Sequence, residues 1–260
     1  MVEIKTEAEL SAMREAGRVV AHALAAIQEL AAPGVTLTDL DEAAAAVIRQ
    51  EGATPAFLHY KPGFAPTPFP AVICTSVNDV IVHGIPNGYR LRRGDLLSVD
   101  CGAYLDGWAG DAATTFVIGE PAGDAADPAD LALVEAARAA LSAAVAVAVP
   151  GGRLGDLGHA IARVGRAAGY GIMADFGGHG IGRRMHEDPH VPNEARPGRG
   201  MVLRPGLVLA IEPMFIAGGA DRYRTAPDGW ALHTSDGSRA AHMEHTVAVT
   251  DDGPRLLTVP

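Results

Sequence analysis

Four acids and one histidine in this chain have the types and the settings for metal chemistry: Asp100, Asp111, Glu212 and Glu244, with His179 inside the run Gly177-Gly178-His179-Gly180-Ile181-Gly182. Asp100 and Glu212 close two versions of one phrase, Leu91-Arg92-Arg93-Gly94-Asp95-Leu96-Leu97-Ser98-Val99-Asp100 and Leu203-Arg204-Pro205-Gly206-Leu207-Val208-Leu209-Ala210-Ile211-Glu212. Each phrase opens on a turn signal and continues as a mostly apolar run of strand length, so each acid stands at the far end of a buried strand. Asp111 begins a β-branched run, and Glu244 stands at the head of the alternating stretch His245 to Val249. An unpaired buried carboxylate costs on the order of several kcal/mol, so four converging anions need cations to persist. The nearby arginines lie in the turns before the strands, which leaves metal ions. A carboxylate can bridge two ions about 3.5 to 4 Å apart, the arrangement of two-metal hydrolysis, where a bound water's pKa falls from about 15.7 to near 7. No Gly-x-Ser-x-Gly nucleophile motif occurs in the chain.

His179 is the best imidazole ligand, because glycines on both sides let backbone and metal approach closely. The same glycines lack the Gly-Lys-Ser or Gly-Lys-Thr ending of a phosphate loop. His83 and His186 are candidates for proton donation or for hydrogen bonding to substrate rather than for ligation. His186-Glu187-Asp188-Pro189-His190 spells the zinc-protease motif His-Glu-x-x-His. That motif works on a helix, and Pro189 both lacks an amide hydrogen and pushes Asp188 out of the helical region, so the match is set aside. His190 is expected on a loop or surface, and His22, His59, His159, His233, His242 and His245 take structural or solvent roles, with His245 alternating away from Glu244.

The elements that must position these groups repeat. Pro33-Gly34-x-x-Leu37-x-Asp39-Leu40 is answered by Pro150-Gly151-x-x-Leu154-x-Asp156-Leu157, and His83-Gly84-Ile85 by His179-Gly180-Ile181. Helical patterns run from about Glu7 to Ala31 and Asp39 to Gln50, and again from Asp130 to Val147 and Asp156 to Ala168. Each half reads helix, helix, then strands. The expectation is one α+β domain over 1–260, made of pseudo-repeat halves at about 1–120 and 125–255, with the site where the halves meet. The formal charge of -10 argues against a nucleic-acid binder that works through overall attraction. The two cysteines, Cys74 and Cys101, are too few for a disulfide framework and point to a reducing cytoplasm. The first residues are charged and the longest apolar stretch, Ala143 to Pro150, is too short to span a membrane, so neither an export signal nor an anchor is expected.

Taken in order with their local phrases, Asp100, Asp111, His179, Glu212 and Glu244 resemble the metal ligands of the methionine aminopeptidases. The resemblance extends to Val77-Asn78-Asp79-Val80-Ile81-Val82-His83-Gly84-Ile85-Pro86, to Ile211-Glu212-Pro213-Met214 and to Glu244-His245-Thr246, and it covers nearly the whole chain. It implies the pita-bread fold, in which pseudo-twofold halves pack helix pairs on a curved antiparallel sheet around two divalent ions. Cobalt, manganese, iron, zinc and nickel all suit such a site. By the same resemblance Asp100 chelates one ion, His179 and Glu212 the other, and Asp111 and Glu244 bridge both. His186 stabilises the carbonyl oxygen, His83 contacts the scissile nitrogen, and Glu212 also shuttles a proton. Glu212 and Glu244 stand too close for the helical insertion of the second, eukaryote-like type, so the chain is similar to the short bacterial first type. The implied role is removal of initiator methionine from new polypeptides with a small second residue, by a cytoplasmic monomer that meets the ribosome transiently and engages neither DNA nor membrane. The methionine pocket is expected from Phe69, Cys74, His83, Met185 and Trp230, with His186 beside it. Met185 stands where the family often has phenylalanine and Phe69 where it often has tyrosine. Prolidases and Xaa-Pro aminopeptidases share similar ligands but usually carry a further domain ahead of the catalytic one, and binding-only relatives generally lose ligands.

Overall fold

The computed structural model describes residues 2–63, 65–119, 127–173 and 175–260. The expected junction of the halves, at about 120–125, lies outside the described residues apart from its surroundings. Four helices carry the layer behind the sheets: α1 (Glu7–Leu30), α2 (Leu37–Gln50), α3 (Pro128–Ala146) and α4 (Leu154–Ala167). Their starts are set by side chains that satisfy the free amides of the first turn. Thr6 and Glu9 form a reciprocal capping box on α1, and Thr36 and Asp39 form another on α2. Asp127 caps α3, whose first residue is Pro128. The sequence pattern begins α2 and α4 at Asp39 and Asp156, whereas these acids are the third residues of their helices. Each reaches back to the residue before the helix, Asp39 accepting from the Thr36 amide at 2.8 Å and Asp156 from the Arg153 amide at 2.8 Å.

The strand Leu96–Leu105 pairs antiparallel with Trp108–Val117 through a two-residue turn, Asp106 and Gly107, both at positive φ as such a tight hairpin requires. It also pairs with Ile73–Val77 and, near its end, with Thr54–Pro55. A second, five-stranded sheet runs in the order Gly253–Leu256, His245–Thr250, Val208–Ile211, Gly177–Gly180, Glu187–Pro192, again antiparallel throughout. Backbone bonds between Ala113 and Glu244, in both directions, join the two sheets beside the site. Two three-stranded antiparallel sheets complete the fold, one through Met214–Ile216 with Ala240–His242 and Gly171–Ile172, the other through Leu232–Thr234 with Val80–Val82 and Tyr223–Thr225.

Each helix pair buries its apolar face against one sheet. Val20, Ile27, Leu40 and Ile48 from α1 and α2 pack with Ile73, Leu97, Val99 and Cys101, while Leu133, Ala137, Leu157 and Ile161 from α3 and α4 pack with Leu209, Ile211, Val247 and Val249. The result is an α+β fold with a core in each half. Among the described residues, no helix is long and apolar enough to cross a membrane.

One contact sets how deeply α1 sits. A Cβ on Gly110 would lie 2.9 Å from the backbone of Gly17, and a Cβ on Gly17 would strike the carbonyl of Leu257. Helix and strand therefore meet backbone to backbone one residue before Asp111. Alanine normally stabilises a helix interior relative to glycine by about 1 kcal/mol. Here the sign reverses: Gly17→Ala is expected to lose about 1 to 3 kcal/mol in denaturant unfolding, through overpacking against fixed backbone. A gain in stability would mean that the backbone at Leu257 gives way to the added methyl at little cost.

Candidate metal centre

The three strands Leu96–Leu105, Trp108–Val117 and Val208–Ile211, with the approach to His245–Thr250, bring Asp100, Asp111, Glu212 and Glu244 to one cleft, and Gly177–Gly180 adds His179. The His179 Nε2 lies 3.6 Å from Asp111 Oδ2 and 3.9 Å from Glu212 Oε1. Its Nδ1 meets the Gly180 carbonyl at 2.9 Å, which directs Nε2 at the acids. The backbone of Asp111 is fixed by Thr246, whose hydroxyl accepts from the Asp111 amide at 3.0 Å and donates to its carbonyl at 2.8 Å. The glycines about His179 are needed for strand contact: a Cβ on Gly178 would run into the Ala210 carbonyl and one on Gly180 into that of Asp188. Close approach is thus by neighbouring strands, a reason the sequence pattern does not distinguish from close approach by a metal.

The donor set fits divalent metal ions. Asp100 Oδ1, Asp111 Oδ1 and Glu244 Oε1 are buried without a hydrogen-bond partner, and donor atoms of Asp111, His179 and Glu244 all lie within 4.8 Å of one another. Orphaned acceptors of this kind are costly unless a cation completes them. Burial, reinforced by Glu212, raises the Asp100 carboxyl to about 7. Burial, together with the other carboxylates, also lifts Asp111 and Glu244 well above the usual range. Glu212 goes the other way: burial pushes it up, but the imidazoles of His242, His179 and His186 outweigh that and hold it low.

These shifts fix a stability prediction. A carboxylate whose folded pKa is raised contributes fully below its unfolded value of about 4 and loses that contribution as pH rises through the folded value. Chelator-stripped protein is therefore expected to melt lower at pH 8 than at pH 5, with the loss accumulating up to and beyond the value of about 7 at Asp100. Saturating manganese removes that dependence, because bound cations favour the ionised acids. Melting curves with the same pH dependence in both forms would show that the acids do not share an ion.

A cavity of about 330 Å³ opens from the acids and is walled by Phe57, Tyr60, Phe69, Cys74, Phe176 and Trp230. Phe69 and Trp230 meet edge to face at 5.0 Å, and the indole nitrogen donates to the Thr67 carbonyl at 3.1 Å, so this apolar end is rigid. His83 lies between Phe176 and Trp230, at 6.0 and 6.1 Å between ring centres. It holds a positive φ of 60°, an uncommon backbone state for a residue with a side chain. Desolvation lowers its pKa to about 4. The His186 ring stacks on Tyr60 at 5.1 Å and lies 4.2 Å from the ring of His179, with one side open to the cleft. Desolvation first, then His179, push it down to about 3, an effect that the open side moderates. Both imidazoles are neutral at neutral pH.

Met185 is a correction. It is not part of the cavity wall; its side chain is buried with Phe57 over Gly102, and its amide donates to the Tyr104 hydroxyl at 2.8 Å. It backs the wall, because the strand pair at Gly102 leaves a hollow that a flexible thioether fills. His190, expected on a surface, is exposed yet stands in the cleft opposite His179. The run 186–190 is no helix: Glu187–Pro192 is a strand, and Glu187 pairs with the buried Lys5 at 3.1 Å. His242, expected in a structural or solvent role, lies inside the cluster, 2 % exposed, with Nε2 3.5 Å from Glu212 Oε2 and 3.8 Å from Glu244 Oε2. Strand alternation, which turns His245 away from Glu244, puts His242 on the Glu244 side; that signal was in the sequence.

The model of metallopeptidase family M24 matches residues 11–251. Methionine aminopeptidase 1 of Mycobacterium tuberculosis is 53% identical, over 100% of this chain and 96% of its own length. The methionine aminopeptidase of Clostridium acetobutylicum is 46% identical, over 100% of this chain and 99% of its own. The crystal structure of methionine aminopeptidase from Thermotoga maritima superposes with a TM-score of 0.93 at 39% identity, covering 100% of both chains.

Proposed function

The chain belongs to metallopeptidase family M24, and from that premise we propose that it is a methionyl aminopeptidase of the short bacterial type. It removes the initiator methionine from new polypeptides whose second residue is small, in the cytoplasm, as a monomer that meets the ribosome transiently. The observation that carries this reading is the union, in one cleft of about 330 Å³, of the acid and imidazole cluster with a wall of aromatic side chains. The apolar wall takes the methionine side chain, and the cluster takes the peptide bond next to it.

Asp100, Asp111, His179, Glu212 and Glu244 would hold two divalent ions, with Asp111 and Glu244 placed between the other three. When bound, they supply Lewis-acid polarisation and an acidified water as nucleophile. The chain's own groups do the rest. Neutral His186, open to the cleft, donates to the carbonyl oxygen as negative charge grows there. Neutral His83, anchored between two aromatic rings, contacts the scissile nitrogen. Glu212, kept ionised by the imidazoles about it, accepts a proton and returns it to the leaving amine. Phe69, Cys74 and Trp230 line the side-chain pocket, where burial keeps the Cys74 thiol protonated, so it serves as wall and not as nucleophile.

Release of free methionine from Met-Ala-Ser, beside hydrolysis of Ala-Pro, tests the reading on chelator-stripped protein with and without manganese or cobalt. Metal-dependent cleavage of the methionyl peptide alone is expected. Cleavage of the prolyl peptide alone would move the chain to the prolidase branch of the family.

A further inference from the structure

We propose that His242 is a sixth protein ligand of the metal centre, a second imidazole on the side of Glu212 away from His179; the inference rests on the reading of the cleft as a two-ion site. The His242 side chain is 2 % exposed, its Nε2 has no hydrogen-bond partner, and it is aimed at Glu212 and Glu244. A hydrogen bond from an imidazole nitrogen to a carboxylate spans about 2.7 to 3.2 Å. The separations here, 3.5 and 3.8 Å, are too long for that. Two donors each about 2.1 Å from one ion at tetrahedral angles stand about 3.4 Å apart. The nearer His242 spacing, 3.5 Å, lies close to that value, as does the 3.6 Å between His179 Nε2 and Asp111. Donor atoms of Glu212, His242 and Glu244 all lie within 4.8 Å of one another, as those of Asp111, His179 and Glu244 do.

The ring is directed by its backbone. Thr115 Oγ1 accepts from the His242 amide at 2.9 Å and donates to its carbonyl at 2.6 Å, and His242 is in register with Met214 across the strand pair. Glu212 therefore stands between two imidazoles, Oε1 toward His179 and Oε2 toward His242. An ion with an imidazole among its ligands is held less like manganese or magnesium and more like zinc, nickel or iron. His242 thus adds nitrogen to a cluster otherwise dominated by carboxylate oxygen.

Cobalt is the probe. Stripped full-length protein loaded with two equivalents of Co²⁺ is expected to show two solvent-exchangeable, hyperfine-shifted imidazole N–H signals in proton NMR. One of them vanishes in His242→Gln. Calorimetry on the same variant is expected to show one equivalent bound at least about 10-fold more weakly and the other unchanged. A single imidazole signal in the wild-type protein, untouched by His242→Gln, overturns the assignment and leaves the metallopeptidase reading standing. A protein that takes up no cobalt overturns both. The count of signals in the wild-type protein decides the matter even if the variant fails to fold.

Discussion

Asp111→Asn is expected to lower methionyl-peptide hydrolysis by about 10³-fold or more and to weaken divalent-metal binding by more than about 100-fold, while the stripped protein keeps or gains stability. The first two effects follow from losing a shared negative charge: a cation's stabilisation of the transition state is worth several kcal/mol, and even changes behind the ligands cost about 10- to 100-fold in affinity. The third follows from the electrostatics of the empty cluster. Burial and the charges of Asp100 and Glu212 oppose ionisation of Asp111, so removing its charge relieves a cost that only cations offset. Thr246 holds the backbone at 111 through amide and carbonyl and does not depend on the side chain. Activity, calorimetric metal binding and thermal melting of the stripped variant check the three parts separately. Wild-type activity in this variant would sink the shared-ion arrangement, and a collapse of the stripped protein would show that Asp111 is structural.

His186→Ala is expected to cut kcat by about 10²-fold or more with metal content unchanged, in the range of losing one donor to a developing oxyanion. The ring touches His179 and Tyr60 but opens to the cleft, and the strand that follows is held independently by the Glu187 pair with Lys5 and by the Arg184 amide, which donates to Glu187 at 3.0 Å. Because the interaction strengthens only as charge develops, KM moves less than kcat. Steady-state kinetics with metal analysis of the same sample decides it. Loss of metal from the variant would place His186 among the ligands instead.

The parts of the fold that were legible in the sequence are those written by local periodicity. All four helices end within two residues of where the apolar pattern stops, because the caps and the Pro-Gly breaks are short-range signals. The acids were legible for a different reason: Glu212 and Glu244 flank apolar strands as their phrases imply, whereas Asp100 and Asp111 stand inside the strands Leu96–Leu105 and Trp108–Val117, which run past them because the pair stays in register up to the turn at Asp106 and Gly107. The misses are long-range. Whether Met185 faces the cavity or Gly102 depends on a hollow made by a glycine more than eighty positions away, and sequence neighbours carry no mark of it. His190 enters the cleft because it pairs with His179 across strands, a register that only the folded sheet defines. His242 is the instructive case. It stands two residues before Glu244, a spacing that puts both side chains on one side of extended backbone, but local sequence does not show that the strand Ala240–His242 faces the acids.

The two cores bear on how the molecule comes apart. Asp100 and Asp111 stand on strands packed against α1 and α2, whereas Glu212 lies at the end of a strand packed against α3 and α4, and His179 and Glu244 flank that same sheet. Ions held by these acids would add cross-links between two cores that already share apolar clusters around Trp108 and around Met214. Their binding free energy would enter as cooperativity, coupling the melting of one half to that of the other and growing with the logarithm of free ion over its dissociation constant. Metal supply would then tighten the coupling that these clusters and the Ala113–Glu244 backbone bonds already provide.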